Sequence, residues 1–170
     1  MKTVFTLGEI EEFKRLLKKV AADGYYFPDE EAMRVVHSIV SMWAPEIVIV
    51  KDNGENKKIL LTVYEGGIKE FQGKWHIPGG YNRWPEMDIQ ETVSRVAQRE
   101  IGVDVCYKKT VDSYKWRDGE HSYGHPLSLF VECLPRKNII ETEKLRFFSK
   151  DEIPANTVEP HRRFIQQYLK

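Results

Sequence analysis

"GKWHIPGGYNRWPEMDIQETVSRVAQREIGV", residues Gly73–Val103, decides how the rest of the chain is read. A short strand pattern runs into two glycines, a polar turn follows, and a helix pattern opens at Asp88 and closes at Gly102. Asp88 with Glu91 has the spacing of an N-terminal cap pair, and a glycine is the common terminator at the other end. Adjacent glycines between strand and helix allow close approach of backbone to a ligand, so their carbonyls can turn toward a cation. Glu100, late in the helix, is a carboxylate that can complete a magnesium site for a diphosphate. That ion takes one or two carboxylates, water and substrate phosphate oxygens. On these residues alone, a tight turn beside a solvated acid has equal standing.

Working outward, "EIVIV" (Glu46–Val50) and "KKILLTVYE" (Lys57–Glu65) are β-rich runs, and the asparagine-glycine of "KDNGEN" between them predicts a hairpin turn. "VDVCYKKTVDSYKW" (Val103–Trp116), "HPLSLFVECL" (His125–Leu134) and "KLRFFS" (Lys144–Ser149) predict further strands. Thr157–Lys170 reads as an amphipathic helix that buries Phe164, Ile165, Tyr168 and Leu169. Toward the N-terminus, Thr6–Asp23 reads as a helix. Thr6 and Glu9 have capping-box spacing there, and Ile10, Phe13, Leu17 and Val20 form a stripe. A second helix is expected over Pro28–Trp43, with Met33, Val36, Val40 and Trp43 on one face and Pro45 as its stop. The fold class is α+β in α/β/α layers: a mixed β-sheet flanked by helices, with residues 1–43 as a helical extension and 44–170 as the main domain.

The 26 basic and 26 acidic side chains balance to zero, which argues against the broad positive footprint of a nucleic-acid binder. Cys106 and Cys133 lack metal-ligand spacing and read as two thiols rather than a disulfide framework. The acidic start carries no signal-peptide run, and no stretch reaches the roughly 20 apolar residues of a membrane span. A soluble cytoplasmic protein without nucleic-acid or membrane partners is expected.

Gly80, Glu86, Arg95, Glu100, Gly102 and Val103, preceded by Trp75, Ile77, Pro78 and Gly79, resemble the Nudix box G-x5-E-x7-R-E-U-x-E-E-x-G-U, where U is aliphatic. Val96 and Arg99 stand where that pattern has glutamates, and one extra residue separates Glu86 from Arg95. A multi-metal site on this helix is therefore not expected, and Arg99 beside Glu100 would repel a second cation. A box reduced in this way is similar to that of the GDP-mannose mannosyl hydrolase branch. The resemblance implies a Nudix hydrolase domain over residues 44–170. It also implies one Mg2+ (with Mn2+ as the alternative) and a small-molecule nucleoside diphosphate-linked substrate, a nucleotide sugar such as GDP-mannose. Attack would fall at the anomeric carbon of the sugar. Two other readings stay open: pyrophosphohydrolysis of a nucleotide with attack at phosphorus, and a catalytically silent domain that binds a nucleotide or a protein.

In the resembled family a loop before the last strand supplies a further ligand, which here falls on Glu141, six residues before Phe147. The implied metal set is then Gly80, Glu100 and Glu141, and Thr142 stands where the mannosyl hydrolases have their histidine base. That leaves Glu141, Glu143 or a loop histidine, His125 or His121, to activate water. Tyr81, Arg83, Trp84, Trp116 and His121 are the expected substrate contacts, with Tyr123 as a further stacking candidate. Arg95 is expected to anchor Glu86. His76 reads as a structural histidine, and "HRR" (His161–Arg163) as surface. The N-terminal helices would serve a partner surface or a homodimer.

Overall fold

The computed structural model describes residues 5–22, 42–54, 56–83 and 86–169. Strand β1 (Trp43–Val48) sets the layers, because successive residues of a strand point to opposite faces. Its Ile47 joins Leu60 of β3 (Lys57–Val63) in a core with Val93, Val96 and Ala97 of helix α2 (Ile89–Glu100). Its neighbour Val48 joins Ile59 and Leu61 in a second core with Phe164 and Ile165 of helix α3 (Glu159–Tyr168). Helix α2 therefore covers one face and α3 the other, which is the layered α/β/α arrangement expected.

The strands form two hydrogen-bonded sets. β6 (Leu127–Pro135) lies between β1, to which it is parallel, and β5 (Val105–Lys115), to which it is antiparallel. β3 is the hub of the other set. β7 (Leu145–Ser149) runs along one of its edges, while β2 (Val50–Asp52) and β4 (Trp75–His76) pair with its two ends. The β2–β3 turn is the predicted hairpin, with Gly54 at φ 85°, a conformation that favours glycine. Asp88 caps α2 by accepting a hydrogen bond from the Glu91 N–H at 2.8 Å, and the Glu91 carboxylate accepts from the Met87 N–H.

The strap from Pro78 to Asn82 fastens the glycines to β1. Ile47 N–H donates to the Pro78 carbonyl, Gly80 N–H to that of Pro45 and Asn82 N–H to that of Trp43. These bonds place Glu46 directly opposite Gly79 in antiparallel register. They also correct the expectation for Trp43 and Pro45. Both lie inside β1, paired with Leu127 and Leu129, rather than at the end of a helix. Within β1 the Pro45 carbonyl still accepts from the Gly80 N–H, whereas a helix interior would need the N–H that proline lacks. The rest of the expected second helix lies outside the described residues.

Helix α1 (Leu7–Ala22) begins with the predicted capping box. The Thr6 hydroxyl accepts from the Glu9 N–H, and the Glu9 carboxylate accepts from the Thr6 N–H. Ile10, Phe13 and Leu17 lie exposed on it. No described helix is long and apolar enough to cross a membrane.

Candidate active site

A cavity of about 830 Å³ opens beside the two glycines, within the range of roughly 300–1,000 Å³ usual for small-molecule sites. Phe71, Trp116 and Tyr123 stand at its aromatic side, Arg83, Arg95 and Arg99 line it as well, and Glu46 and Glu100 are its buried acids. Glu100 comes to the cavity from the last turn of α2. Its Oε2 accepts from the Gly79 N–H at 3.2 Å and lies 3.7 Å from His76 Nε2, while Oε1 pairs with the Arg99 guanidinium. Burial raises its carboxyl above the usual range, against the lowering effect of Arg99. Gly79 has no room for a side chain. A Cβ there would fall 1.8 Å from the Glu46 Oε2, so the glycine is required by close approach.

Glu46 is 6% exposed. The Ser128 hydroxyl donates to its Oε1 at 2.7 Å and itself accepts from the Trp116 indole N–H at 2.9 Å. Burial pushes the Glu46 carboxyl up to about 8, the Ser128 hydrogen bond opposes this, and Glu100 adds to it. His161, from α3, accepts the Ile77 N–H on Nδ1 at 3.0 Å. Its Nε2 lies 3.8 Å from Glu46 Oε2, is buried and has no hydrogen-bond partner among the described residues. Burial lowers the His161 pKa far below the usual range and the His76 pKa to about 3, so both rings are neutral near pH 7.

These shifts give a pH dependence of stability with two limbs. The buried histidines must take a proton in the unfolded chain below their ordinary value of 6.5, so stability is lost as pH falls through that value. Glu46 acts oppositely. Its folded form holds a proton up to about 8 against an ordinary 4.5, so its contribution is complete below 4.5 and is lost as pH rises toward 8. Chemical denaturation from pH 6.5 to 8 should show a fall from this group of up to about 1.4 kcal/mol per pH unit, easing to about half of that as pH reaches 8. Glu46→Gln should flatten that alkaline limb while leaving the acid limb in place. An unchanged alkaline slope in the variant would remove Glu46 as its cause.

A model of the NUDIX domain matches residues 42–168. The chain belongs to the NUDIX family. No curated protein matches it. Among solved structures, Shewanella oneidensis NrtR is similar at 15% identity and a TM-score of 0.58, over 75% of this chain and 61% of that one. A NUDIX hydrolase from Nitrosomonas europaea is similar at 18% identity and 0.56, over 75% and 71%. The NUDIX domain of the same NrtR, in complex with ADP ribose, is similar at 17% identity and 0.52, over 76% and 86%. These likenesses show the fold. The chain thus spans less than two thirds of the length of the full NrtR chain. NUDIX membership supports a hydrolase.

Within this NUDIX domain the predicted residues divide. Gly80, Tyr81, Arg83, Glu100, Trp116 and His121 all line the cavity. The Tyr81 hydroxyl meets His121 Nε2 at 3.2 Å, and His121 Nδ1 accepts the Tyr123 N–H, so His121 is a wall group whose nitrogens are engaged. Trp116 is buried among Phe71, Tyr114, His121 and His161 and contributes a packed side of the cavity. Arg95 ties Glu86 and the Tyr81 carbonyl, which fixes the turn between glycines and helix. Trp84 lies outside the described residues.

Glu141, Glu143 and His125 do not line the cavity. Glu141 accepts the Phe147 N–H at 3.0 Å and faces Lys51 at 3.6 Å, beside a separate shallow recess. Glu143 is exposed on the turn before β7. His125 is spanned between the Trp116 carbonyl and Asp118, with Nε2 2.9 Å from the carboxylate. Nudix hydrolases generally use divalent metals such as Mg2+. The set of Gly80, Glu100 and Glu141 does not come together for one here. Among the described residues no group of three or more His, Cys, Asp and Glu suits a metal ion. The misfit lies in what already holds the nearest oxygens: the Gly79 carbonyl and Glu100 Oε1 both accept from the Arg99 guanidinium, so the residues as they stand do not fit the ion that the resemblance implied.

Glu46, His76, His161 and Ser128 complete the buried polar floor. "HRR" was expected at the surface. His161 instead sits three and four residues before Phe164 and Ile165, on the apolar face of α3, and is 4% exposed. That spacing was the available signal. For Glu46 it was a carboxylate inside a run of strand residues buried on both faces.

Proposed function

We propose that the cavity hydrolyses a nucleoside diphosphate-linked compound, with a nucleotide sugar such as GDP-mannose as the finer expectation. The observation that carries this reading is Glu100, a buried carboxylate on the wall of a cavity of about 830 Å³ that aromatic residues and arginines also line. The aromatic groups suit a base or a sugar. Arg83 and Arg99 suit the diphosphate, since guanidinium forks match phosphate oxygens, while Arg95 is committed to Glu86 and the Tyr81 carbonyl. Burial, with Arg95 and Arg99 next in weight, holds the Arg83 pKa below its ordinary value, so an anion among these cations relieves their repulsion.

Glu100 acts as the general base. A water O–H bond breaks, its proton passes to the Glu100 carboxylate, and the water oxygen bonds to the attacked centre. The bond to the departing phosphate oxygen breaks, and its charge settles on the arginines. A base with a pKa raised toward neutrality suits this work. The NUDIX domain of NrtR, described as complexed with ADP ribose, lends support to a ligand of this class.

Product analysis tests the reading. The folded protein is incubated with nucleotide sugars, dinucleotides and nucleoside triphosphates, and the products are identified by mass spectrometry. The expected result is cleavage of a diphosphate-linked compound. Free sugar with nucleoside diphosphate marks attack at carbon, and sugar phosphate with nucleoside monophosphate marks attack at phosphorus. A panel left intact by folded protein overturns the reading in favour of a binding module.

A further inference from the structure

Arg99 occupies the place where the resembled box has a glutamate, and its position in the fold is not that of a solvated surface charge alone. Its Nη2 donates to the Gly79 carbonyl at 3.0 Å, across twenty residues of sequence, and pairs with Glu100 Oε1. The guanidinium lies close against the second glycine as well, with Nη2 3.0 Å and Nη1 3.7 Å from where a Gly80 Cβ would stand. A backbone carbonyl and a carboxylate thus converge on one cationic group. This is the kind of oxygen pair a magnesium ion takes. The carbonyl is that of Gly79 rather than the expected Gly80, and Glu141, the other expected ligand, is held elsewhere by Lys51 and the Phe147 N–H. Val96, at the other glutamate position of the box, is fully buried in the core.

The arginine charge is permanent, and the group carries five N–H donors. Nη2 uses its two hydrogens on Gly79 and Glu100. Among the described residues, Nε and Nη1 take no hydrogen bond, and Arg99 lines the cavity together with Arg83.

We propose that Arg99 is the built-in cation of this site: its guanidinium takes the place of a divalent ion between the Gly79 carbonyl and Glu100, and offers its remaining donors to a diphosphate. The nature of that anion rests on the proposed function, but the exchange of an arginine for a metal ion does not. Diphosphate binding in this protein is then independent of divalent metal, and removal of the guanidinium exposes an oxygen pair that attracts one.

Two binding measurements on the full chain and on Arg99→Gln test this, with circular dichroism to establish that both are folded. The free Mn2+ signal in electron paramagnetic resonance reports metal binding without any need for turnover. Arg99→Gln should bind Mn2+ about tenfold or more tightly than the wild type. Calorimetric titration with inorganic pyrophosphate in excess chelator should show binding to the wild type, weakened about tenfold or more in the variant. Equal Mn2+ binding by the two proteins, whether tight or absent, overturns the proposal. So does pyrophosphate binding that the substitution leaves unchanged. A hydrolysed panel with equal Mn2+ binding would leave the hydrolase reading standing and remove this one. An intact panel with both expected shifts would do the reverse.

Discussion

Glu100→Gln should lower kcat/KM on the best diphosphate-linked substrate by about 10²- to 10⁴-fold, the usual contribution of a positioned general base. The amide keeps the shape of the carboxylate and can still accept the Gly79 N–H, but it cannot take a proton from water. Burial disfavours the charged form at this position, and the paired Arg99 side chain is 47% exposed and can turn to water, so loss of the charge should cost the fold little. Activity and stability therefore separate. The variant should unfold at a denaturant midpoint close to that of the wild type while product release, followed by mass spectrometry, falls to the stated level. Full activity in a folded Glu100→Gln protein would remove Glu100 from the reaction.

The largest effect on stability is expected at Gly79→Ala. The new Cβ would lie 1.8 Å from Glu46 Oε2, 2.7 Å from its Cδ and 3.2 Å from the Pro45 carbonyl. None of these groups can retreat easily. The Glu46 side chain is buried against Ser128, and the Pro45 carbonyl belongs to the strand that the strap is fastened to. Overpacking of this kind costs about 1–3 kcal/mol. It also pushes the Gly79 N–H away from Glu100, so activity should fall with stability. Gly8→Ala on α1, where nothing lies within 4 Å of the added Cβ, is the control and should not destabilise. Urea denaturation of the two variants checks the contrast. Equal midpoints would mean that the approach of Glu46 to Gly79 is not close in solution.

Much of the layered fold was legible because its signals are local. The asparagine-glycine turn, the Asp88 cap and the Phe164–Ile165 face each lie within a few residues of the element they define. Glu100 was legible for the same reason, since its spacing from the glycines is set by one turn and one helix. The polar floor was not. Glu46 meets Ser128 through parallel pairing of β1 and β6, and His161 reaches it from α3, each across more than 80 residues. No short pattern records such meetings. The candidates that lie away from the cavity share another cause. Glu141, Glu143 and His125 lie in connecting segments, where spacing identifies the loop but not the direction of a side chain. Trp43 was misread because Pro45 resembles a helix stop. The proline instead lies within a strand, paired with Leu129 of β6.

The most direct test of the central claim is hydrolysis in ¹⁸O-labelled water, run with the wild type and Glu100→Gln side by side on the panel compounds. The account predicts that the wild type places the label in one product of a nucleoside diphosphate-linked compound, and that the variant does so at least about a hundredfold more slowly. Unlabelled, intact compounds in the presence of folded wild-type protein, or equal labelling by the two proteins, would contradict it.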